Sequence, residues 1–335
     1  MDKENKLIIG RVSAEYKERY EVIASSHQYI SRITGKILHN AKLREDYPAI
    51  GDYVKISPID DTSALIQEIL PRKSVLRKKY GDKLESQLIA TNVDVAFIVE
   101  SVGRDYNLNR FERFVVLAKD GKIIPVIVLN KIDLITQTDL NKKLKDINSR
   151  FGEIDVITTS TITKQGLFEL KNYIQKDKTY CFLGSSGVGK SSLINALLGS
   201  NQIKTSEIGS QTQRGKHTTT NREMHFLENG GVLIDNPGIR EIGMVSSENG
   251  IDDVFKEIIG LSKDCKFTDC THTNEPKCAV LEAVEAGTLS EDQYQNYLKL
   301  KKEADFYEMA EIEKRNKDRK FGKFIKKALE QLEKN

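Results

Sequence analysis

The sequence predicts a multidomain α/β protein with three parts: an N-terminal OB-like β-barrel, a doubly wound P-loop sheet, and a C-terminal α-helical domain that holds a metal. Three observations predict it. Gly184-Ser185-Ser186-Gly187-Val188-Gly189-Lys190-Ser191 fits G-x-x-x-x-G-K-[ST] at every fixed position, between an apolar strand and a helix. Short β-like runs fill the first part of the chain. Cys265, Cys270, His272 and Cys278 cluster in one turn-rich stretch. Boundaries fall at residues 1–72 for the barrel, 73–245 for the P-loop domain and 246–335 for the helical domain with its basic tail.

Composition narrows the classes. A chain of 335 residues suggests about two or three domains. The formal net charge is only +3, so nucleic-acid binding must come from local patches. No run of about 18 apolar residues exists, which leaves no transmembrane helix. Met1-Asp2-Lys3-Glu4-Asn5-Lys6 carries both signs and leads to no apolar h-region, unlike a secretory signal. A cytoplasmic protein with no membrane partner, working as a monomer, is expected. In that setting, clustered cysteines favour metal over disulfide.

The barrel comes first. Leu7–Val12, Arg19–Ala24, Gln28–Ile33, Asp52–Ile56 and Ala64–Ile69 make five β-like runs, with Gly35, Gly51 and Pro58-Ile59-Asp60-Asp61 between them. That count suits an OB-like barrel, a fold that often binds RNA through basic and aromatic side chains. Tyr16, Tyr20, Tyr29, Arg32 and Lys36 are available for this, or for packing and solvating the barrel. The connector over 71–92 carries five basic residues and no acid in Pro71–Tyr80. It reads either as a linker that touches phosphate or as a solvated basic linker.

The central domain alternates strand and helix. Val93–Val99 is nearly all apolar, as in a parallel strand covered on both faces. A helix over Asn109–Lys119 follows, then a strand over Ile124–Leu129, a helix over about 139–150, a strand over Ile154–Thr158 and a helix over Gly166–Ile174. Tyr180–Leu183 is the strand before the P-loop and Ser192–Leu198 the helix after it. This alternation predicts the doubly wound sheet.

The motifs name a ligand. In the P-loop, glycines let backbone N–H groups close on phosphate oxygens, and the helix N-terminus adds its dipole. Residues Gly184 to Ser192 form that cradle. Lys190 reaches the β/γ-phosphates and Ser191 Oγ ligates Mg²⁺. Asn130-Lys131-Ile132-Asp133, at the end of a buried strand, reads the base. Asp133 accepts two hydrogen bonds from guanine N1–H and its 2-amino group, which adenine cannot offer. Asn130 and Lys131 brace that loop, and Ser160 offers a backbone N–H to guanine O6. The polar stretch Thr205–Asn221 reads as a switch loop. Thr219, with Thr218 or Thr220 as alternatives of register, supplies a hydroxyl to Mg²⁺. Asp235-Asn236-Pro237-Gly238 fits D-x-x-G: Asp235 holds Mg²⁺ through water and Gly238 N–H senses the γ-phosphate. Ile239 stands where many GTPases place a water-orienting Gln. Either hydrolysis is intrinsically slow or another group orients the water. His217 is the candidate, against the alternative of a loop histidine without a catalytic role.

NKID precedes the P-loop, whereas the usual order places it after D-x-x-G. The same sheet forms when the chain is cut and rejoined, because native ends can lie close together. Switch movement at Asp235–Gly238 then feeds directly into the C-terminal region.

There, Cys265-x4-Cys270-x-His272-x5-Cys278 offers three thiolates and one imidazole, a tetrahedral Zn²⁺ set with no open position, hence structural. Cys181 lies in the P-loop strand and reads as a core thiol. Ser290-x-x-Gln293 is a capping box before a helix, with Tyr294, Tyr297, Leu298 and Phe306 as its packing face. Lys314–Lys327 holds eight Lys/Arg against Asp318 alone among acids. It is either an RNA-backbone contact or a solvated tail.

With NKID at 130–133, GSSGVGKSS at 184–192, RGKHTTT at 214–220, DNPGIRE at 235–241 and the Cys/His cluster, the chain resembles the circularly permuted bacterial GTPases of the RsgA (YjeQ/YloQ) family along nearly its whole length. The resemblance implies GTP hydrolysis to GDP, slow alone and stimulated by the small (30S) ribosomal subunit, with Mg²⁺ and one structural Zn²⁺. It implies a role in late maturation of that subunit and contact with its rRNA. It also implies a hydrophobic residue at the Gln position, as Ile239 is, and a switch histidine, as His217 is. Asn236 departs from the family's more frequent Thr at a variable position. A nucleotide-gated assembly factor for another RNA or the large subunit is the alternative function. An ATP-using enzyme conflicts with Asp133.

Overall fold

The computed structural model describes residues 7–79, 86–103, 106–199, 223–235 and 248–309. The chain divides into two compact units, residues 1–78 with 87–242 and residues 79–86 with 243–335. The barrel and the α/β sheet, which the sequence separates at residue 72, fall in the same unit.

Strands β1 (Ile8–Glu15), β2 (Tyr20–Ala24) and β3 (His27–Ile33) form a meander. After a short helix, α1 (Gly35–Asn40), come β4 (Tyr53–Pro58) and β5 (Ser63–Ile69). β3 pairs with β5 in parallel, β5 with β4 and β4 with β1, so the five strands close in the order 1-2-3-5-4. This is the OB-type barrel expected. Alternate residues point inward, and Val12, Val22, Ala24, Val54, Ile56, Ala64 and Ile66 fill the interior. A side chain at Gly10 would start 2.5 Å from Val22 Cγ1, so the barrel closes only on glycine there.

The basic connector is not a linker. It forms β6 (Val75–Lys79) and β7 (Ser86–Thr91), a two-stranded sheet with Leu76 and Ile89 buried. β6 sets Val75 and Leu76 side by side ahead of Arg77-Lys78-Lys79, so no alternation marks it in the sequence.

The nucleotide-type sheet follows: β8 (Val95–Ser101), α2 (Leu108–Asp120), β9 (Ile124–Asn130), α3 (Gln137–Phe151), β10 (Val156–Thr159), α4 (Leu167–Tyr173), β11 (Thr179–Leu183), α5 (Lys190–Leu198), β12 (Glu223–Phe226) and β13 (Val232–Asp235). Its strand order is β10-β9-β8-β11-β13-β12, parallel except for β12. Phe97, Val99, Val126, Val128, Phe182, Leu193, Ile194 and Leu233 make the core. Phe97 stacks on Tyr180 with ring centroids 5.3 Å apart. Cys181 is fully buried there, and burial pushes its thiol up to about 12, which keeps it inert.

β12 also pairs with β1 at Ala14 and Glu223, so the barrel continues the sheet edge. Two arginines reinforce the join. Arg11 donates to Gly51 O, Asn92 O and Thr179 Oγ1, the last on the P-loop strand. Arg72 makes a two-pronged contact with the buried Asp52, 2.8 Å on each side, and Asp52 also accepts from Thr91 Oγ1.

The second unit holds α6 (Glu248–Val254), α7 (Lys256–Ser262), the cysteine loop, α8 (Ala279–Glu285) and a helix, α9, over 291–309. α9 begins directly after Ser290, as its capping signature predicts. Its buried face is Tyr294, Tyr297, Leu300, Ala304 and Tyr307. Phe306, expected on that face, is 66% exposed. The helical period carries the stripe through 300, 304 and 307 and leaves 306 on the outer side.

Candidate nucleotide-binding site

The P-loop leaves the C-terminal end of β11 and turns into α5. Gly184, Gly187 and Gly189 take φ values of +141°, +81° and +101°. At two of these a side chain would also collide: a Cβ on Gly184 would lie 2.0 Å from Val99 O, and one on Gly189 would lie 2.3 Å from Asn130 Nδ2. Thus the loop presses against β8 on one side and against the NKID segment on the other. Lys190 Nζ donates to Gly184 O (2.7 Å) and Ser185 O (2.6 Å). This folds the ammonium over the loop that would receive phosphates. Ser191 and Ser192 lie in the first turn of α5, where orphan N–H groups and the helix dipole favour an anion.

NKID closes onto this loop from β9. Asn130 is fully buried; its Nδ2 donates to Val188 O (2.8 Å) and its Oδ1 accepts from Thr159 Oγ1 (3.0 Å). Lys131 adopts a left-handed conformation and donates to Gly187 O (2.6 Å). Asp133 is exposed, and its Oδ1 accepts from Ser160 Oγ (2.5 Å). Ser160 Oγ in turn accepts from the N–H groups of Ile162 and Thr163. The carboxylate is thus aimed, with its other oxygen open to a ligand. Ser160 N–H, assigned from the sequence to guanine O6, donates instead to Gln165 O (3.0 Å). The Ser160 hydroxyl is the group that meets Asp133.

Asp235 ends β13, the parallel neighbour of β11, on the same side of the sheet as the P-loop. Thr205–Asn221, with His217, Thr218, Thr219 and Thr220, lies outside the described residues, as do Asn236, Gly238, Ile239 and the basic stretch Lys314–Lys327.

One participant was missed. Glu100, near the end of β8, is fully buried and accepts from Ser185 N (3.4 Å) and Ser185 Oγ (3.0 Å) through Oε1. Burial pushes its carboxyl up, against smaller opposing effects from Ser185, Arg110 and Lys190. The available signal was an acid ending the apolar run Val95–Val99.

In the second unit, the ligand atoms of Cys265, Cys270, His272 and Cys278 all lie within 4.8 Å of one another. Cys265 Sγ and Cys278 Sγ are 3.8 Å apart, and His272 Nδ1 is 3.6 Å and 3.4 Å from them. A tetrahedral zinc with ordinary bond lengths has S···S and S···N edges of about 3.8 and 3.5 Å. The donor set fits that ion, with Nδ1 as the histidine ligand. The loop has its own frame. Glu275 accepts from the Thr271 hydroxyl and from the N–H groups of Thr271, Thr273 and Asn274; the Thr271 hydroxyl first, then the Thr271 N–H, hold its carboxyl well below the usual range. Tyr294 OH donates to His272 O (2.6 Å).

On the barrel, Tyr16 OH donates to Glu21 and its ring lies 5.0 Å from Arg19. Tyr20 and Tyr29 pack against the barrel interior, while Arg32 and Lys36 are exposed. A cleft of about 590 Å³ is lined by Tyr16, Lys17, Tyr20, Arg44 and Tyr47 among others.

Residues 69–245 match the family described as RsgA GTPase. Residues 167–324 also match a family described as ABC transporter, over a span that includes the P-loop. The chain is 42% identical over 319 residues to "Small ribosomal subunit biogenesis GTPase RsgA 1" of Bacteroides thetaiotaomicron, covering 94% of this chain and 88% of that protein. It is 42% identical over 302 residues to the RsgA of Methanosarcina acetivorans, covering 89% and 80%. Among solved structures, YjeQ from Thermotoga maritima aligns with a TM-score of 0.65 at 29% identity, covering 89% of this chain and 99% of that one. YloQ, described as a circularly permuted GTPase, aligns at 0.64 and 26%, covering 91% and 98%.

Proposed function

The chain belongs to the RsgA GTPase family, and from that premise we propose how it binds and hydrolyses GTP, and on what it acts. The observation that carries the reading is the pair of braces, Asn130 to Val188 and Lys131 to Gly187, which fastens the base-reading segment to the phosphate-binding loop. Two recognition elements held in one frame suit a ligand with a purine at one end and phosphates at the other.

In this reading Asp133 accepts guanine N1–H and the 2-amino group, while Ser160 fixes its rotamer. The P-loop N–H groups of Ser185 to Ser192 surround the α/β-phosphates, and Lys190 turns from its loop carbonyls toward the β/γ-phosphates. Ser191 and Asp235 would hold Mg²⁺, which would supply positive charge against the developing negative charge. A water adds in line to the γ-phosphorus, the β–γ bridge bond breaks, and GDP and phosphate leave. Thr219 and Gly238 complete the γ-phosphate side, and His217 orients the water that Ile239 cannot. Cys265, Cys270, His272 and Cys278 hold one structural zinc.

The substrate assembly is the small ribosomal subunit, as the names of the relatives indicate. The protein acts as a cytoplasmic monomer, and its barrel contacts rRNA, with the tyrosines and cations of the 590 Å³ cleft as the nearest chemistry for it. The test is GTP turnover by the protein alone, with small subunits and with large subunits. Stimulation by small subunits only, lost in Lys190→Ala, is expected. Equal stimulation by large subunits, or none by either with GDP binding intact, would move the partner elsewhere.

A further inference from the structure

Glu100 is a fully buried carboxyl group whose Oε2 has no hydrogen-bond partner among the described residues. A buried acid with an orphaned oxygen opposes folding, so packing does not explain its place. What it touches does. The last β8–β11 pair is Ile98 with Leu183, after which β11 departs into the P-loop. The next two residues on each side remain in contact: Gly184 lies against the backbone of Val99, and Ser185 donates to Glu100 Oε1 through both its N–H and its hydroxyl. Ser185 O is one of the two carbonyls that hold the Lys190 ammonium. Glu100 therefore fastens the residue that launches the loop and carries an acceptor for its lysine.

We propose that Glu100 is a positioning residue of the nucleotide site, which acts through Ser185 to set the path of the P-loop. The proposal rests on the GTP-binding reading above. The arrangement predicts that Glu100 and Ser185 work as one unit. GDP affinity, measured by calorimetric titration in the presence of Mg²⁺, falls about tenfold in Glu100→Ala, and by a smaller factor in Ser185→Ala, which keeps the N–H bond. The double variant loses no more than Glu100→Ala alone, because that change already removes both bonds from Ser185. Glu100→Gln keeps the Oε1 acceptor and recovers most of the affinity, which a purely electrostatic role would not allow. Melting of each unliganded variant separates lost binding from lost folding; if Glu100→Ala does not fold, Ser185→Ala and Glu100→Gln carry the comparison.

Wild-type affinity in Glu100→Ala, losses that multiply in the double variant, or a Gln variant no better than Ala would each overturn the assignment. Failure of the wild-type protein to bind GDP would instead overturn the GTPase reading.

Discussion

At the nucleotide site, groups 58 residues apart in the chain, Asn130 and Val188, meet because two parallel strands deliver them to one end of the sheet. At the metal centre, Cys265 and Cys278 are 13 residues apart, and one loop brings all four donors together. The first site inherits its geometry from the large apolar core of the sheet and its helices. The second is held by Glu275, Tyr294, the backbone bond from Lys266 N–H to Lys277 O and a small helical core. Sites of the first kind tolerate loss of the ligand; sites of the second kind exchange metal affinity for folding energy.

Removing the metal should therefore give the largest effect, confined to one unit. Freshly purified protein should contain about one zinc per chain by elemental analysis. Structural zinc contributes on the order of 10 kcal/mol in small domains. Chelation, or Cys278→Ser, should melt helices α6 to α9 and lower ellipticity at 222 nm, while GDP binding persists. Retained helicity in metal-free protein would erase the contrast between the two sites.

Substitutions in the braced frame should have smaller, separable effects. Asp133→Asn alters an exposed carboxylate, so folding stays intact while GTP affinity drops about a hundredfold or more and xanthosine triphosphate gains. Asn130→Ala leaves Val188 O and Thr159 Oγ1 without their partner inside the protein. It should cost about 1–3 kcal/mol of stability in addition to affinity. Melting curves and titrations of both variants with both nucleotides check this. A stability loss in Asp133→Asn as large as that in Asn130→Ala would mean that frame and recognition are not distinct.

The same contrast governs what the sequence disclosed. The P-loop, NKID and the cysteine cluster are local strings whose spacing encodes their chemistry. The closed barrel followed from alternation and turn residues. Glu100 was illegible because a single acid at a strand end carries no spacing, and its meaning depends on Ser185 arriving from 85 residues away. Ser160 lies beside Asp133 through its hydroxyl while Gln165 takes its N–H, a division that only the fold shows. β6 has two adjacent apolar residues followed by basic ones, and β7 is a short run without strict alternation, so neither announces itself in the sequence. Phe306 lies off the face that Leu300, Ala304 and Tyr307 bury, a register that its aromatic ring alone does not reveal.

The smallest predicted effect concerns the frame itself. Asp120 ends α2, where burial raises its carboxyl to about 6 and Arg77 opposes the rise only in part. The negative end of the helix dipole acts in the same direction as burial. A carboxyl whose folded value lies above the unfolded 3.8 binds its proton more tightly when folded. Stability is then fullest below about pH 4, declines as pH rises toward 6, and stays at the lower level above that. Asp120→Asn remains neutral throughout. It should raise the melting temperature of the sheet-containing unit by roughly a few degrees at pH 8 and leave it unchanged at pH 4. A gain of equal size at both values would assign the effect to packing. A gain in the melting of the helical unit would mean that the two units do not melt independently, and the comparison between their sites would fail with it.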